Sequence, residues 1–259
     1  MKSLLIAVSL LVASSITCAE ESILRFSYWT EASPPFVFLD DAPEKPVKTG
    51  VLKDLAEEIA TQLKKQAVFI NLPVQRIESQ LNAGEIDIDC ITQPAWKKHP
   101  NDYHWSPVIF QGADRLLVKN ERKHEFKTFE DLKGKMLGVY NGYIYHSTIT
   151  NMINQSEIQT VKVSGIDHGV KLLSLDRIDA LIDFDALLAH KIASGYQDRL
   201  ALADLIVEQY DLFCAYSKKM EIDASLVDGV IEAMVKSGKI KNIIDRYNLI
   251  SGQENSISL

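Results

Sequence analysis

After its first nineteen residues the chain contains no apolar run approaching the ~20 residues needed to cross a bilayer as a helix, so no membrane-spanning helix is expected in the mature protein. Basic charge is also scarce. Lys and Arg number 28 against 35 Asp and Glu, a formal charge of -7, and the short pairs Lys64-Lys65, Lys97-Lys98 and Lys218-Lys219 form no clustered cationic surface. Nucleic acid is therefore excluded as a partner, because phosphate binding needs such a surface. The six histidines are scattered, and no H-x-x-x-H, C-x-x-C or EF-hand spacing occurs, so no metal is expected. A phosphate loop and a G-x-S-x-G elbow are equally missing, which leaves no cofactor or hydrolase motif.

Residues 1–19 read as a secretory signal: Lys2, the apolar "LLIAVSLLVASS", then Thr17-Cys18-Ala19 before the acidic "EES". The expectation is export to the periplasm in soluble form. A lipid anchor on Cys18 is the competing reading, disfavoured by Thr17 and by the absence of Leu three residues earlier. Two of the three cysteines then remain, Cys90 and Cys214. Both stand in apolar strand-like runs, "IDIDCI" and "LFCAYS", where a free Cys behaves as a small hydrophobe. Buried thiols are the expectation, with a disulfide as the alternative that an oxidising compartment permits.

The pattern that follows alternates strand and helix. "ILRFSYW" reads as a strand stopped by the two prolines of "TEASPPF". In "VLKDLAEEIATQLKKQ", Leu52, Leu55, Ile59 and Leu63 recur at helical spacing. "AVFINL" is a second strand, "PVQRIESQLNAG" a helix opened by Pro73 and closed by Gly84, and "IDIDCI" a third strand. A second block repeats the order: strand "KMLGVY", a helix entered through Asn141-Gly142, strand "IQTVKV", a helix "DHGVKLLSLDR" capped by Asp167, and strand "IDALIDF". "DLFCAYS" and two apolar-periodic helices from Ala224 to Leu249 close the chain. Such alternation predicts an α/β fold with mostly parallel sheets and a ligand site outside the strands' carboxyl ends. Tyr28, Trp29 and Phe36 at the first loop, Arg76 after the second strand, and Thr92 and Trp96 after the third are the candidates on that edge.

The order and spacing of "PPFVF", "TGVLKDLAEEIATQL", "LNAGEIDI", "WSPVIFQGADRLLVKN", "FEDLKGKMLGVYNG", "VKLLSLDRIDALI" and "YDLFCAYSKK" resemble the bacterial extracellular solute-binding proteins of family 3. That resemblance implies a type II periplasmic binding fold of two βα sheet lobes joined by two crossover strands. Lobe one would hold residues 20–114 and 212–259, and lobe two residues 115–211. It further implies a monomer that traps a small polar solute, an amino acid or related carboxylate, by hinge closure and passes it to an inner-membrane ABC permease, with no catalysis. A sensing module for a membrane regulator and a dehydratase-like enzyme are the alternatives on this fold. The family's carboxylate-binding helix-entry loop maps to Asn141, Gly142 and Tyr143. Its acidic residue for the ligand amine falls near Phe184, with Asp183 and Asp185 on either side. The family's arginine in a Thr-x-x-Arg phrase is missing from "TQPAWKKHPNDYHWS", and Arg76 is the expected substitute. Trp96 is read either as a wall of the cleft or as packing under "NDYHWSP".

Overall fold

Helical spacing and turn residues set the first block as the sequence suggests. In the computed structural model, residues 23–29, 32–40 and 46–247 are described; the expected signal, Cys18 and the polar tail lie outside them. Strand β1 (Ile23–Trp29) is followed by a two-stranded ribbon, β2 (Phe38–Leu39) and β3 (Val47–Thr49), and by helix α1 (Val51–Gln62). Leu52, Leu55 and Ile59 of α1 are buried on the core, as their spacing requires. Then come β4 (Gln66–Leu72), α2 (Val74–Ala83) and β5 (Ile88–Thr92). Pro73 stands at the N-cap of α2, and Gly84 ends it at φ 78°, a left-handed conformation that costs glycine little.

After the short β6 (Tyr103–Trp105) and the long β7 (Phe110–Lys119), the second block runs β8 (Met136–Tyr140), α3 (Ser147–Asn154), β9 (Gln159–Val163), α4 (Ile166–Ser174) and β10 (Ala180–Phe184). Helix α5 (Asp185–Ala193), the 18-residue β11 (Leu200–Ser217), α6 (Ala224–Lys236) and α7 (Lys239–Arg246) complete the order. The two blocks make the same half-sheet twice. In one, β4-β1-β5 are parallel and β5 meets β11 antiparallel; in the other, β9-β8-β10 are parallel and β10 meets β7 antiparallel. Strands β7 and β11 pair with each other, and the carboxyl-terminal end of β11 continues onto β5 and β6. These two long strands, which carry Arg115 and Leu212, tie the halves together.

Each half has its own apolar core. Leu24, Phe26, Leu55 and Ile59 pack with Val227, Ile231 and Ile243 from the last two helices, so the chain's end returns to the first half. In the second half, alternate residues of a strand serve opposite faces: Leu116 and Ile182 join one cluster, Leu117 and Leu181 the other.

The structure corrects four expectations. Cys90 and Cys214 are disulfide-bonded rather than free, because the register of β5 against β11 sets them directly opposite. A crosslink closing so long a loop restricts the unfolded chain by a few kcal/mol, about 2–5 in typical secreted domains. Helix α3 begins at Ser147, capped by the His146 ring, so Asn141-Gly142 sits in the loop before it and not at its entry. Asp167 lies inside the first turn of α4 and ion-pairs with Lys191, while Gly165 holds the N-cap. Finally, α5 follows directly behind the carboxyl end of β10, in a stretch between the expected strands "IDALIDF" and "DLFCAYS" to which the sequence pattern assigns no element.

Candidate ligand-binding cleft

The carboxyl end of β5 departs from a regular ladder. Thr92 pairs with Phe213 and Cys90 with Cys214, so Ile91 is an extra residue with no partner opposite, and its φ is 62°. A β-branched residue there is a bulge held by its surroundings at a cost of about 1–3 kcal/mol. The consequence is geometric. Asp89, Cys90, Ile91 and Thr92 all border one cavity, which strict alternation would forbid. Beyond them Pro94–Trp96 forms a single 3-10 turn that carries Trp96 to the same space.

That cavity measures about 170 Å³ and is enclosed by both halves. Trp29 at the end of β1 and Thr92 at the end of β5 face Phe184 at the end of β10, with Asp114 from β7 and Tyr210 from β11 between them. A chain of rings runs through its wall. Trp29 lies 6.1 Å from Phe36, Phe36 stacks on Phe184 at 5.1 Å, Phe184 on Tyr210 at 6.1 Å, and Tyr210 meets Trp96 edge-on at 5.1 Å. Phe184 can lie there because residue 112 is glycine: a Cβ would come within 2.1 Å of its Cε2. A second space of about 210 Å³ adjoins, lined by Tyr140, Asn141 and the start of α4, and shares Trp29, Tyr143 and Asp183 with the first. The halves touch across the cleft. Phe38 meets the His190 ring at 5.7 Å, and the Gln75 side chain rests where a Cβ on Gly142 would stand, 2.6 Å from its Nε2.

The acids around the cavity differ in their company. Asp89 accepts from Lys97 Nζ at 2.8 Å and from Ser27 Oγ at 2.7 Å, with both charged side chains almost fully buried. Asp183 is 4% exposed and accepts the Phe184 N–H at 2.8 Å, and among the described residues it forms no ion pair. Burial pushes its carboxyl up to about 7, partly offset by the Tyr140 hydroxyl and the Phe184 N–H, with the charge of Asp114 pushing the same way as burial. Asp114 accepts from Tyr210 Oη at 2.8 Å and is likewise raised, by burial, to about 6. The Tyr140 hydroxyl is buried and lies toward Asp183, but no group among the described residues completes a hydrogen bond to it.

Of the residues singled out from the sequence, Trp29, Phe36, Thr92, Trp96, Gly142, Tyr143 and Asp183 border the first cavity, and Asn141 the second. Tyr28 packs in the first core, and Asp185, the first residue of α5, accepts the next residue's N–H at 2.7 Å; neither borders the first or the second space. Arg76 is exposed on α2 and points to neither space, so the only cation bordering the first cavity among the described residues is Lys97. Sequence reasoning passed over Asp114, Phe184 and Tyr210 as ligand-facing groups. The polar breaks in otherwise apolar strands, "GADR" and "EQYD", were the signal available.

Comparison with known proteins places this geometry. The family model described as "Bacterial extracellular solute-binding proteins, family 3" matches residues 28–250. The L-glutamate/L-aspartate-binding protein of Pseudomonas aeruginosa is 25% identical over 230 residues, 84% of this chain and 74% of that protein. The L-cystine-binding protein TcyJ of Escherichia coli K12 is 26% identical over 218 residues, 83% of this chain and 78% of that protein. Among solved structures, an ancestral arginine-binding protein bound to arginine superposes with a TM-score of 0.71 at 21% identity, covering 87% of this chain and 98% of that one. The fold is thus that of the type II periplasmic amino acid-binding proteins, two α/β lobes with a cleft between them.

Proposed function

The chain belongs to the bacterial extracellular solute-binding proteins, family 3, and from that premise we propose that it is a periplasmic receptor which captures a small amine-bearing solute of the amino acid class and delivers it to an inner-membrane permease. The observation that carries this reading is the 170 Å³ cavity enclosed by the carboxyl ends of strands from both lobes. Neither lobe can surround a ligand alone, so binding energy gained only when both are in contact favours the closed arrangement. Names of the relatives support the amino acid class: glutamate or aspartate, histidine, and cystine receptors. Site residues follow from the cavity. Trp29, Phe36 and Trp96 form the apolar wall, Thr92 offers a hydroxyl, Asp183 and Asp114 face the ligand amine, and the Asn141–Tyr143 loop closes from lobe two.

The test is a thermal-shift screen over amino acids and amines followed by solution scattering on any hit. A ligand at 100 times its dissociation constant adds about 2.7 kcal/mol to stability, and closure reduces the radius of gyration. Bound ligand recovered chemically unchanged supports a receptor. A ligand converted to product during incubation overturns it in favour of catalysis.

A further inference from the structure

The charge around the first cavity is lopsided. Glu78, Asp89, Asp114 and Asp183 border it against Lys97 alone, and Lys97 is already held at 2.8 Å by Asp89 with only 8% of its side chain exposed. Three carboxylates therefore remain without a cation of their own among the described residues. Asp114 stands on β7 opposite Phe184, the residue after Asp183, and at this strand end both acids border the cavity. They border one space from adjacent strands, and the charge of Asp114 makes Asp183 harder to ionise. Close by, the buried hydroxyl of Tyr140, a residue only 9% exposed, lies toward Asp183 and completes no other hydrogen bond among the described residues.

Nothing comparable waits for an anion. Among the described residues no arginine borders either space. The first N–H groups of α3 begin at Ser147, past the residues that reach the cavity. At α4, the Ser164 N–H and hydroxyl both point at the His168 ring, at 3.3 and 3.2 Å. A ligand carboxylate would enter a space already crowded with its own charge. A protonated amine would relieve the repulsion between Asp114 and Asp183, and its body would meet the faces of Trp29, Phe184 and Tyr210, which attract cations. The cavity volume is on the scale of the ~150 Å³ space that takes one benzene, enough for a single ring or a short alkyl chain.

We infer that this cleft recognises its solute through an ammonium or related organic cation on a small aromatic or alkyl body, and that a ligand carboxylate is dispensable for binding. The inference rests on the receptor reading above and specifies its ligand. Its test is calorimetric titration at pH 8 with three matched pairs: tyramine against tyrosine, histamine against histidine, and agmatine against arginine. In at least one pair the amine binds as tightly as its amino acid or more tightly. Asp183→Asn and Asp114→Asn each weaken that amine tenfold or more, while each variant keeps the native circular dichroism spectrum and melts cooperatively. If in every pair that binds the amino acid is the tighter ligand, the inference falls and the receptor reading stands. If no member of any pair binds, the inference falls, and the receptor reading is decided by the wider thermal-shift screen. An amine whose affinity is unchanged in both folded variants also overturns the inference, because the acids would then not be the cation's partners.

Discussion

In the β4-β1-β5 half, the strand acid that borders the cavity is fully answered: Asp89 is gripped by Lys97 and Ser27, and the strand that bears it is bonded to β11 by the Cys90–Cys214 disulfide. In the β9-β8-β10 half, the strand in the equivalent place carries Asp183 one residue before its end, and among the described residues no cation pairs with it: it accepts the Phe184 N–H and has the Tyr140 hydroxyl beside it. The same strand order thus carries two electrostatic habits. The first half is a settled wall; the second brings carboxyl groups that gain most when something positive arrives. The difference shows how a duplicated architecture can divide rigidity and ligand demand between its copies.

The sharpest way to break this comparison is to unsettle the settled side. Lys97→Ala leaves Asp89 buried and unpaired, and should cost about 3–5 kcal/mol. Adding Asp89→Asn should recover most of the loss, since the amide can still accept from Ser27 Oγ. Urea melts of the two variants check this, and a single variant as stable as wild type would show that the pair contributes nothing.

A smaller effect sharpens the other side. Asp183 titrates near 7 in the folded protein against an ordinary 3.8, so between those values the native state holds a proton that the unfolded chain has released. Its contribution to stability is full below about pH 4 and is lost as pH rises through 7. Asp114, near 6, adds in the same direction. The other titratable groups facing Asp183 are Tyr140 on β8, Tyr145 in the following loop and Tyr210 on β11, with Arg115 paired opposite it on β7; the tyrosines are pushed up and stay neutral across this range, while Asp185 at the start of α5, raised to about 7 by its own burial, reinforces the trend. Asp183 alone should therefore cost the unliganded protein about 2–3 kcal/mol between pH 5 and pH 8, with Asp114 and Asp185 deepening the fall. In Asp183→Asn the slope should be visibly shallower. Identical slopes in denaturant midpoints would remove Asp183 as the source.

The smallest expected effect concerns Arg76. Exposed on α2 and away from both spaces, its replacement by Ala should change stability by no more than about 0.5 kcal/mol and leave ligand affinity unaltered. A tenfold loss in titration would bring α2 back into the site.

Much of the scaffold was legible because it depends on local spacing. The Leu52, Leu55, Ile59 stripe and the Pro73 to Gly84 interval give α1 and α2 directly, and the repeat of strand and helix gives the two half-sheets. The candidate site was legible only by position. Loops after β1, β5 and β8 were found on the correct edge, but Asp114 and Tyr210 belong to strands that look like crossings, and they face ligand space only because β7 and β11 run side by side. Arg76 drew attention as the residue type a carboxylate would need; helix phase turns it outward.

What the sequence determines by itself is therefore the periodic part: which segments are helix or strand, the α/β class, and the edge on which a ligand would lie. Those follow from side-chain size and polarity repeating along the chain. The tertiary structure alone decided which groups meet. Cys90 faces Cys214 across 124 residues of chain, Lys97 turns back onto Asp89, and Asp114 comes to stand beside Asp183. Each of these depends on strand register, and a register is fixed by packing of the whole sheet. A one-residue slip would send every side chain of the strand to its other face. The bulge at Ile91 is the clearest case: a single unpaired residue in β5, unmarked by glycine or any turn signal, sits among four consecutive residues that all border the cavity.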